Sequence, residues 1–136
     1  MRIISFSEKW PKLHLELPVE KRPDFCTFRY WYWQLGWGVQ VFYKNRSRIP
    51  GVREKLGEAT IIKAEPRELD KFAAEKGWND YPLVTDTEAQ EDGFPNLDEM
   101  VKFMEKQYGG LDWYPVMNKL TLRWLAPTIS TTEEGE

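Results

Sequence analysis

The sequence has only one cysteine, Cys26, and one histidine, His14, among its 136 residues. These counts exclude a disulfide within the chain and a zinc site built from cysteine and histidine. The chain has no glycine-rich phosphate loop of the P-loop or dinucleotide-binding type. No apolar run approaches the roughly 18 residues of a membrane-spanning helix. We therefore expect a cytoplasmic protein that does not enter a membrane and holds no metal and no cofactor.

Aromatic side chains, by contrast, are concentrated in residues 25–33, which hold six of them. Aromatic and β-branched residues favour a pleated strand. Alternation along that strand would place Thr27, Arg29 and Trp31 on one face and Phe28 on the other. The face of Phe28 can fill a core. The opposite face carries a hydroxyl, a guanidinium and indoles, which suits a ligand, although its indoles fit core packing as well as base stacking.

Five segments have the alternation or the β-branched content of strands. They are residues 2–6, 25–33, 39–44, 57–64 and 118–125. In the last segment Leu120, Leu122 and Trp124 are expected to face the core. The elements together predict an α+β fold, a small β-barrel of five to six strands with two to three helices packed at its side. Residues 1–125 are expected to form this single domain, and residues 126–136 a disordered acidic tail.

Three helices are predicted between the last two strands. The first begins at Pro66 and ends near Gly77. The second opens with a capping box at Thr85 and stops at Gly93, and the third begins after Asn96. The acids of the second helix could in principle hold Mg²⁺, but acids beside a helix cap normally face solvent, so no metal is expected there. They are Asp86, Glu88, Glu91 and Asp92.

Charge is distributed unevenly along the chain, although the net charge is only −3. Residues 1–55 carry eleven Lys or Arg against five acids, whereas residues 80–99 carry seven acids and no base. The loop after the third strand is the most basic segment, and a loop of this kind can contact the phosphates of RNA or simply remain a solvated surface. Its cations are Lys44, Arg46, Arg48, Arg53 and Lys55.

Several short segments, in this order and spacing, resemble the ASCH domain family of PUA-like barrels. They are Ile4-Ser5-Phe6-Ser7, Thr27-Phe28-Arg29, Val39-Gln40-Val41, Gly57-Glu58-Ala59, Asp92-Gly93-Phe94 and Leu120-Thr121-Leu122-Arg123-Trp124. The resemblance covers most of residues 2–125. It implies a PUA-like barrel with a cleft between barrel and helices, in which members of the family bind RNA or a nucleotide.

Some members of this family resemble enzymes instead. They include amidohydrolases that remove an acyl group from a modified cytidine with a Lys, a Thr and a Glu, and reported ribonucleases. Thr27 matches their threonine, but Asp24 stands at the position of their lysine and Asp92 at that of their glutamate. The missing amine would have to come from Lys9 or Lys21. The loss of the lysine favours a binding protein over an enzyme.

We therefore expect an RNA- or nucleotide-binding module, with a hydrolase or a protein-interaction domain as the alternatives. Thr27 and Arg29 would hold a polar edge of the ligand and Trp31 would stack on a base. The basic side chains Lys44, Arg46 and Arg48 would contact phosphates, and Lys9 would add a cation at the cleft. The alternative role for Arg29 is an ion pair with Glu58 or Glu65 at the rim of the barrel.

Overall fold

The computed structural model describes residues 2–29, 33–69, 75–77, 80–108 and 116–126. They form five strands and two α-helices, with short 3-10 turns at Pro11–Leu13 and Val19–Lys21. The strands are β1 (Arg2–Phe6), β2 (Phe25–Arg29), β3 (Gly38–Tyr43), β4 (Glu54–Glu68) and β5 (Val116–Leu125), and the helices are α1 (Asp86–Asp92) and α2 (Leu97–Tyr108). Within these residues no helix is long and apolar enough to cross a membrane.

The strands form one sheet in the order β1-β3-β4-β5-β2, in which β1 and β3 are parallel and the other pairs are antiparallel. Strand β4 has 15 residues and pairs with β3 near its start and with β5 from Glu58 to Glu68. Irregularities interrupt both ladders, which increases the local twist of the strand. The sheet consequently curls into a half-barrel.

The two edge strands meet across the open side of this half-barrel. The rings of Phe6 on β1 and Phe25 on β2 lie 6.2 Å apart, edge to face. One guanidinium nitrogen of Arg29 on β2 donates a hydrogen bond of 3.2 Å to the carbonyl of Ser5 on β1. The α+β class and the barrel-like sheet with helices are thus confirmed.

Strand β2 is buried on both faces. Phe25 belongs to the core inside the curled sheet, whereas Phe28 belongs to a second core beneath α1 and α2. Thr27 points to the same side as Phe25 and is only 3% exposed. Both sides of β2 are thus covered, one by the helices and the other by the barrel, so Thr27 lies in the interior and not on an open surface.

The remaining sequence predictions differ in outcome. Leu120, Leu122 and Trp124 are buried as expected. Thr85 caps α1 with a capping box, and Gly93 ends the helix with a φ of 112°. The start of the first predicted helix is wrong, because Pro66 lies in β4 opposite Asn118 of β5. The β3–β4 ladder has already ended at Thr60, so proline is tolerated on that edge.

Parts of two other predictions lie outside the described residues. These are the middle of the helix predicted over residues 66–77 and the tail from residue 127 onward.

Helix α1 is held to the sheet by the carboxylate of Glu88. Its oxygens accept hydrogen bonds of 2.9 Å from Lys119 on β5 and 3.1 Å from Arg67 on β4. The backbone N–H of Thr85 donates to it as well. Desolvation raises the pKa of Glu88, but the hydrogen bonds from Lys119, Thr85 and Arg67 outweigh it and lower the pKa below the ordinary value of 4.5.

We predict that Glu88→Gln destabilises the fold by about 1–3 kcal/mol near neutral pH, because two cations lose their acceptor. A carboxylate whose pKa is lowered by folding stabilises the folded state above its unfolded pKa and loses this effect as the pH falls through its folded pKa. The difference in unfolding free energy between wild type and variant should therefore shrink as the pH falls below about 4.5. Urea unfolding followed by circular dichroism measures it.

Glu91→Gln is the matched control for this prediction. Glu91 also accepts a hydrogen bond from Lys119, at 3.2 Å, but its side chain is 50% exposed against 13% for Glu88. Its substitution should change stability by less than about 1 kcal/mol. Equal effects of the two substitutions would contradict a special role for Glu88.

Candidate functional site

A half-open cavity of about 80 Å³ lies between the curled sheet and helices α1 and α2. We call it the inner cavity. Four polar side chains of different chemistry converge on it, Lys12, Thr27, Arg29 and Asp92, and they share the walls with Ser7 and with aromatic and apolar side chains. The latter are Phe6, Trp10, Phe28, Phe94, Phe103 and Met104. The inner cavity thus combines an amine, a hydroxyl, a guanidinium and a carboxyl in an aromatic enclosure.

Thr27 and Arg29 reach the inner cavity because they are two residues apart on β2 and so share one face. The Nε–H of Arg29 donates a hydrogen bond of 3.2 Å to the Thr27 hydroxyl oxygen. The guanidinium also lies 4.9 Å from the centre of the Phe6 ring. These contacts, with the bond to Ser5, fix the guanidinium. The alternative expectation is an ion pair of Arg29 with Glu58 or Glu65; in the structure Glu58 pairs with Lys55 and Glu65 with Arg67.

Lys12 enters from the turn Pro11–Leu13, which follows β1. Pro11 favours the first position of the turn and the fully buried Leu13 anchors its end. The Lys12 side chain is therefore directed inward and is only 10% exposed. Its amine donates hydrogen bonds to the Asp92 carboxylate and, at 2.8 Å, to the carbonyl of Cys26. This lysine was missed in the sequence, where only Lys9 and Lys21 were considered.

Asp92 is the last residue of α1, and its side chain is 5% exposed. Gly93, which follows it, lies directly against the Trp10 indole. A Cβ atom at position 93 would be 2.9 Å from the Cε3 atom of Trp10, and the φ of 112° also favours glycine. Gly93 therefore ends the helix and lets Trp10 close one wall beside Asp92. Asp92 is buried, which corrects the expectation that the acids of this helix face solvent.

Burial changes the proton affinity of both partners in this pair. It lowers the pKa of Lys12 below 10.5, against the opposing attraction of Asp92. It raises the pKa of Asp92 above 3.8, against the opposing attraction of Lys12 and of Arg29. Both shifts favour the uncharged forms, because a low-dielectric site penalises charge. The pair is therefore suited to exchange a proton between its members or with a bound group.

The two lysines considered as catalytic substitutes do not line the inner cavity. Lys9 forms an exposed ion pair of 2.8 Å with Glu54 and lies 5.0 Å from the centre of the Tyr43 ring. Lys21 is exposed at the end of the turn Val19–Lys21. Asp24, at the position of the expected lysine, pairs with Arg123 through both carboxylate oxygens, at 3.1 and 3.2 Å.

A second cavity of about 350 Å³, the outer cavity, is more open and adjoins the first. Phe6 and Ser7 line both cavities, so the two are neighbours at the end of β1. Lys44 and Arg46 supply the cations of the outer cavity, and Ser5 and Ser47 complete its walls.

The basic loop is shaped by backbone contacts to β1. The N–H of Lys44, a residue with a φ of 47°, donates to the carbonyl of Phe6, and the N–H of Asn45 donates to the Ser5 hydroxyl. Lys44 and Arg46 are thereby placed at the wall of the outer cavity. Arg48 is exposed but does not line the outer cavity, and Trp31 lies outside the described residues.

No family model, no curated protein and no solved structure matches the chain. The resemblance to the ASCH family therefore stays a prediction. Among the residues that the structure describes, no group of three or more His, Cys, Asp or Glu side chains is placed to hold a metal ion.

We predict that Lys12→Met destabilises the fold by about 3–5 kcal/mol, because it leaves the Asp92 carboxylate buried without its cation. Asp92 must then take up a proton in the folded state, so its folded pKa rises further above its unfolded pKa. A group of this kind loses its stabilising effect as the pH rises. The loss of stability should therefore be larger at about pH 8 than at about pH 5.

The second variant, Lys12→Met with Asp92→Asn, removes the buried charge. It should recover stability relative to Lys12→Met and lose the added dependence on pH. Urea unfolding at both pH values measures the unfolding free energy of the wild type and of each variant. A double variant no more stable than Lys12→Met at the higher pH would contradict the prediction.

Proposed function

We propose that the chain is an RNA- or nucleotide-binding domain of the ASCH type, with its ligand lying across the inner and outer cavities. The observation that carries the proposal is that the two cavities lie side by side and share Phe6 and Ser7 as lining residues. The inner cavity offers hydrogen-bond donors and acceptors enclosed by aromatic rings. The outer cavity offers two cations and is more open.

The volumes of the cavities limit how such a ligand binds. Pockets that enclose a whole small ligand typically measure about 300–1,000 Å³. The inner cavity, at about 80 Å³, holds only one polar group of the ligand, whereas the outer cavity, at about 350 Å³, accommodates a larger part. A nucleotide satisfies both limits if a polar edge of its base enters the inner cavity and its phosphate remains outside.

The chemistry of the walls supports the same orientation. Thr27 and Arg29 present a hydroxyl and a guanidinium to a base edge, and the half-buried Trp10 presents an indole beside them. Lys44 and Arg46 provide cations for a phosphate. Trp31 remains a candidate for base stacking, and Arg48 and Lys9 remain candidates for more distant phosphates of an RNA chain. The resemblance to the ASCH family adds to this support.

We predict that nucleoside monophosphates and short single-stranded RNA change the tryptophan fluorescence, because Trp10 lines the inner cavity. Arg46→Glu should weaken binding of RNA by about tenfold at low salt and reduce the magnitude of the salt slope by about one. Titrations at several salt concentrations measure both quantities.

Lys21→Glu is the control, since it makes the same change of charge at an exposed residue that lines neither cavity. Binding by this variant should remain close to that of the wild type. No response of the wild type to any of these ligands at low salt would refute the proposal and favour a protein-interaction domain.

A hydrolase is the second candidate, and Lys12 is the observation that favours it. In this candidate the amine expected at position 24 would come from Lys12, which bonds Asp92 in the cavity that Thr27 also lines. Arg29 donates to the Thr27 oxygen, which helps that oxygen to carry negative charge. Lys12 and Asp92 would then transfer the protons of the reaction.

If the chain is such a hydrolase, it should release the acyl group from an N-acylated cytidine. Thr27→Val keeps the shape of the side chain and removes its hydroxyl, so it should lower the turnover at least about 100-fold. Chromatography of the released nucleoside measures the rate, and circular dichroism confirms that the variant is folded. Turnover that Thr27→Val leaves unchanged, or no turnover by the wild type, would exclude this candidate.

A further inference from the structure

Two lysines of the chain are almost equally buried and both bind carboxylates, yet their surroundings differ. The side chain of Lys12 is 10% exposed and binds Asp92, and that of Lys119 is 12% exposed and binds Glu88 and Glu91. Lys12 lines the inner cavity, whereas Lys119 lines neither the inner nor the outer cavity. Of these two amines, that of Lys12 is therefore the one that a small molecule in the inner cavity can reach.

The pKa values of the two amines also shift in opposite directions. Burial lowers the pKa of Lys12, because one buried acid only partly compensates for it. Burial lowers the pKa of Lys119 as well, but hydrogen bonds to Glu88 and Glu91 outweigh it and raise the pKa above 10.5. Only an uncharged amine is nucleophilic, so Lys12 is the more reactive of the two.

We propose that Lys12 is a carbonyl-capturing lysine, which forms an imine with a small aldehyde that also carries an anionic group. The aldehyde would occupy the inner cavity, whose volume of about 80 Å³ suits a group of this size. The anion would lie in the adjoining outer cavity between Lys44 and Arg46. The proposal depends on the position of Lys12 and on the outer cavity lying next to the inner one at Phe6 and Ser7, and it does not require that the natural ligand be a nucleotide.

The groups around Lys12 match the steps of imine formation. The amine nitrogen bonds to the aldehyde carbon, and the carbonyl oxygen takes up the proton that the nitrogen loses, which gives a carbinolamine. The carboxyl group of Asp92, whose pKa burial raises, donates a proton to that hydroxyl as the carbon–oxygen bond breaks. Water leaves, the nitrogen loses its second proton to Asp92, and the C=N bond forms. One aldehyde and one amine thus give one imine and one water, with no oxidant or reductant.

The experiment treats the intact protein with glycolaldehyde phosphate and cyanoborohydride, which reduces an imine to a stable amine. Peptide mapping by mass spectrometry then gives the rate of modification at each lysine. We expect Lys12 to be modified several times faster than Lys119 in the same sample, because Lys12 lines the inner cavity and its lowered pKa gives it the larger uncharged fraction. The comparison within one sample requires no variant to fold.

Glycolaldehyde, which lacks the phosphate, is the matched probe for the outer cavity. If the anion binds there, Lys12 should react faster with the phosphorylated aldehyde, and Arg46→Glu should remove that preference. The rate at exposed lysines such as Lys21 should be the same in all of these samples.

Modification of Lys12 no faster than that of Lys119 would overturn the proposal. Equal rates at Lys12 with the two aldehydes would overturn the part that assigns the anion to Lys44 and Arg46. The result is separable from the proposed function, because the aldehyde experiment contains no nucleotide and the nucleotide titrations form no covalent bond. Either proposal can therefore fail while the other stands.

Discussion

A buried pair between Lys12 and Asp92 joins two parts of the chain that are 80 residues apart. Lys12 comes from the turn after β1, whereas Asp92 is the last residue of α1. The pair therefore connects the barrel to its helices, and both of its members line the inner cavity. Since a charge is costly in such a setting without its partner, the position of each element constrains the other. The same burial also lowers the pKa of Lys12 and raises the pKa of Asp92.

The curl of the sheet positions the other groups of the site, which are Arg29 and the basic loop. Strand β4 pairs with β3 up to Thr60 and with β5 from Glu58 onward, and the edge strands β1 and β2 turn toward each other. The contacts of Phe6 with Phe25 and of Arg29 with Ser5 follow from that curl. Arg29 thus reaches the cavity from one edge of the sheet, while the loop that carries Lys44 and Arg46 approaches the other edge.

Local signals in the sequence predicted much of the fold. The alternation of Leu120, Leu122 and Trp124 matched their burial on β5, and the cap at Thr85 and the stop at Gly93 marked the ends of α1. These features depend on neighbours a few residues apart, and so they are visible in a sequence. The wrong prediction of a helix start at Pro66 also came from a local signal. Proline suits the first turn of a helix, but the long ladder between β4 and β5 outweighed this local preference.

By itself the sequence determined the strand that carries Thr27 and Arg29, the basic loop around Lys44, and the helix that ends at Asp92, because each depends on local periodicity or capping. Only the tertiary structure decided that Lys12, rather than Lys9 or Lys21, lies beside Asp92. The physical reason is that this contact forms across 80 residues through the packing of a turn against a helix end. No local pattern distinguishes a lysine that will be buried in this way from one that will remain in solvent.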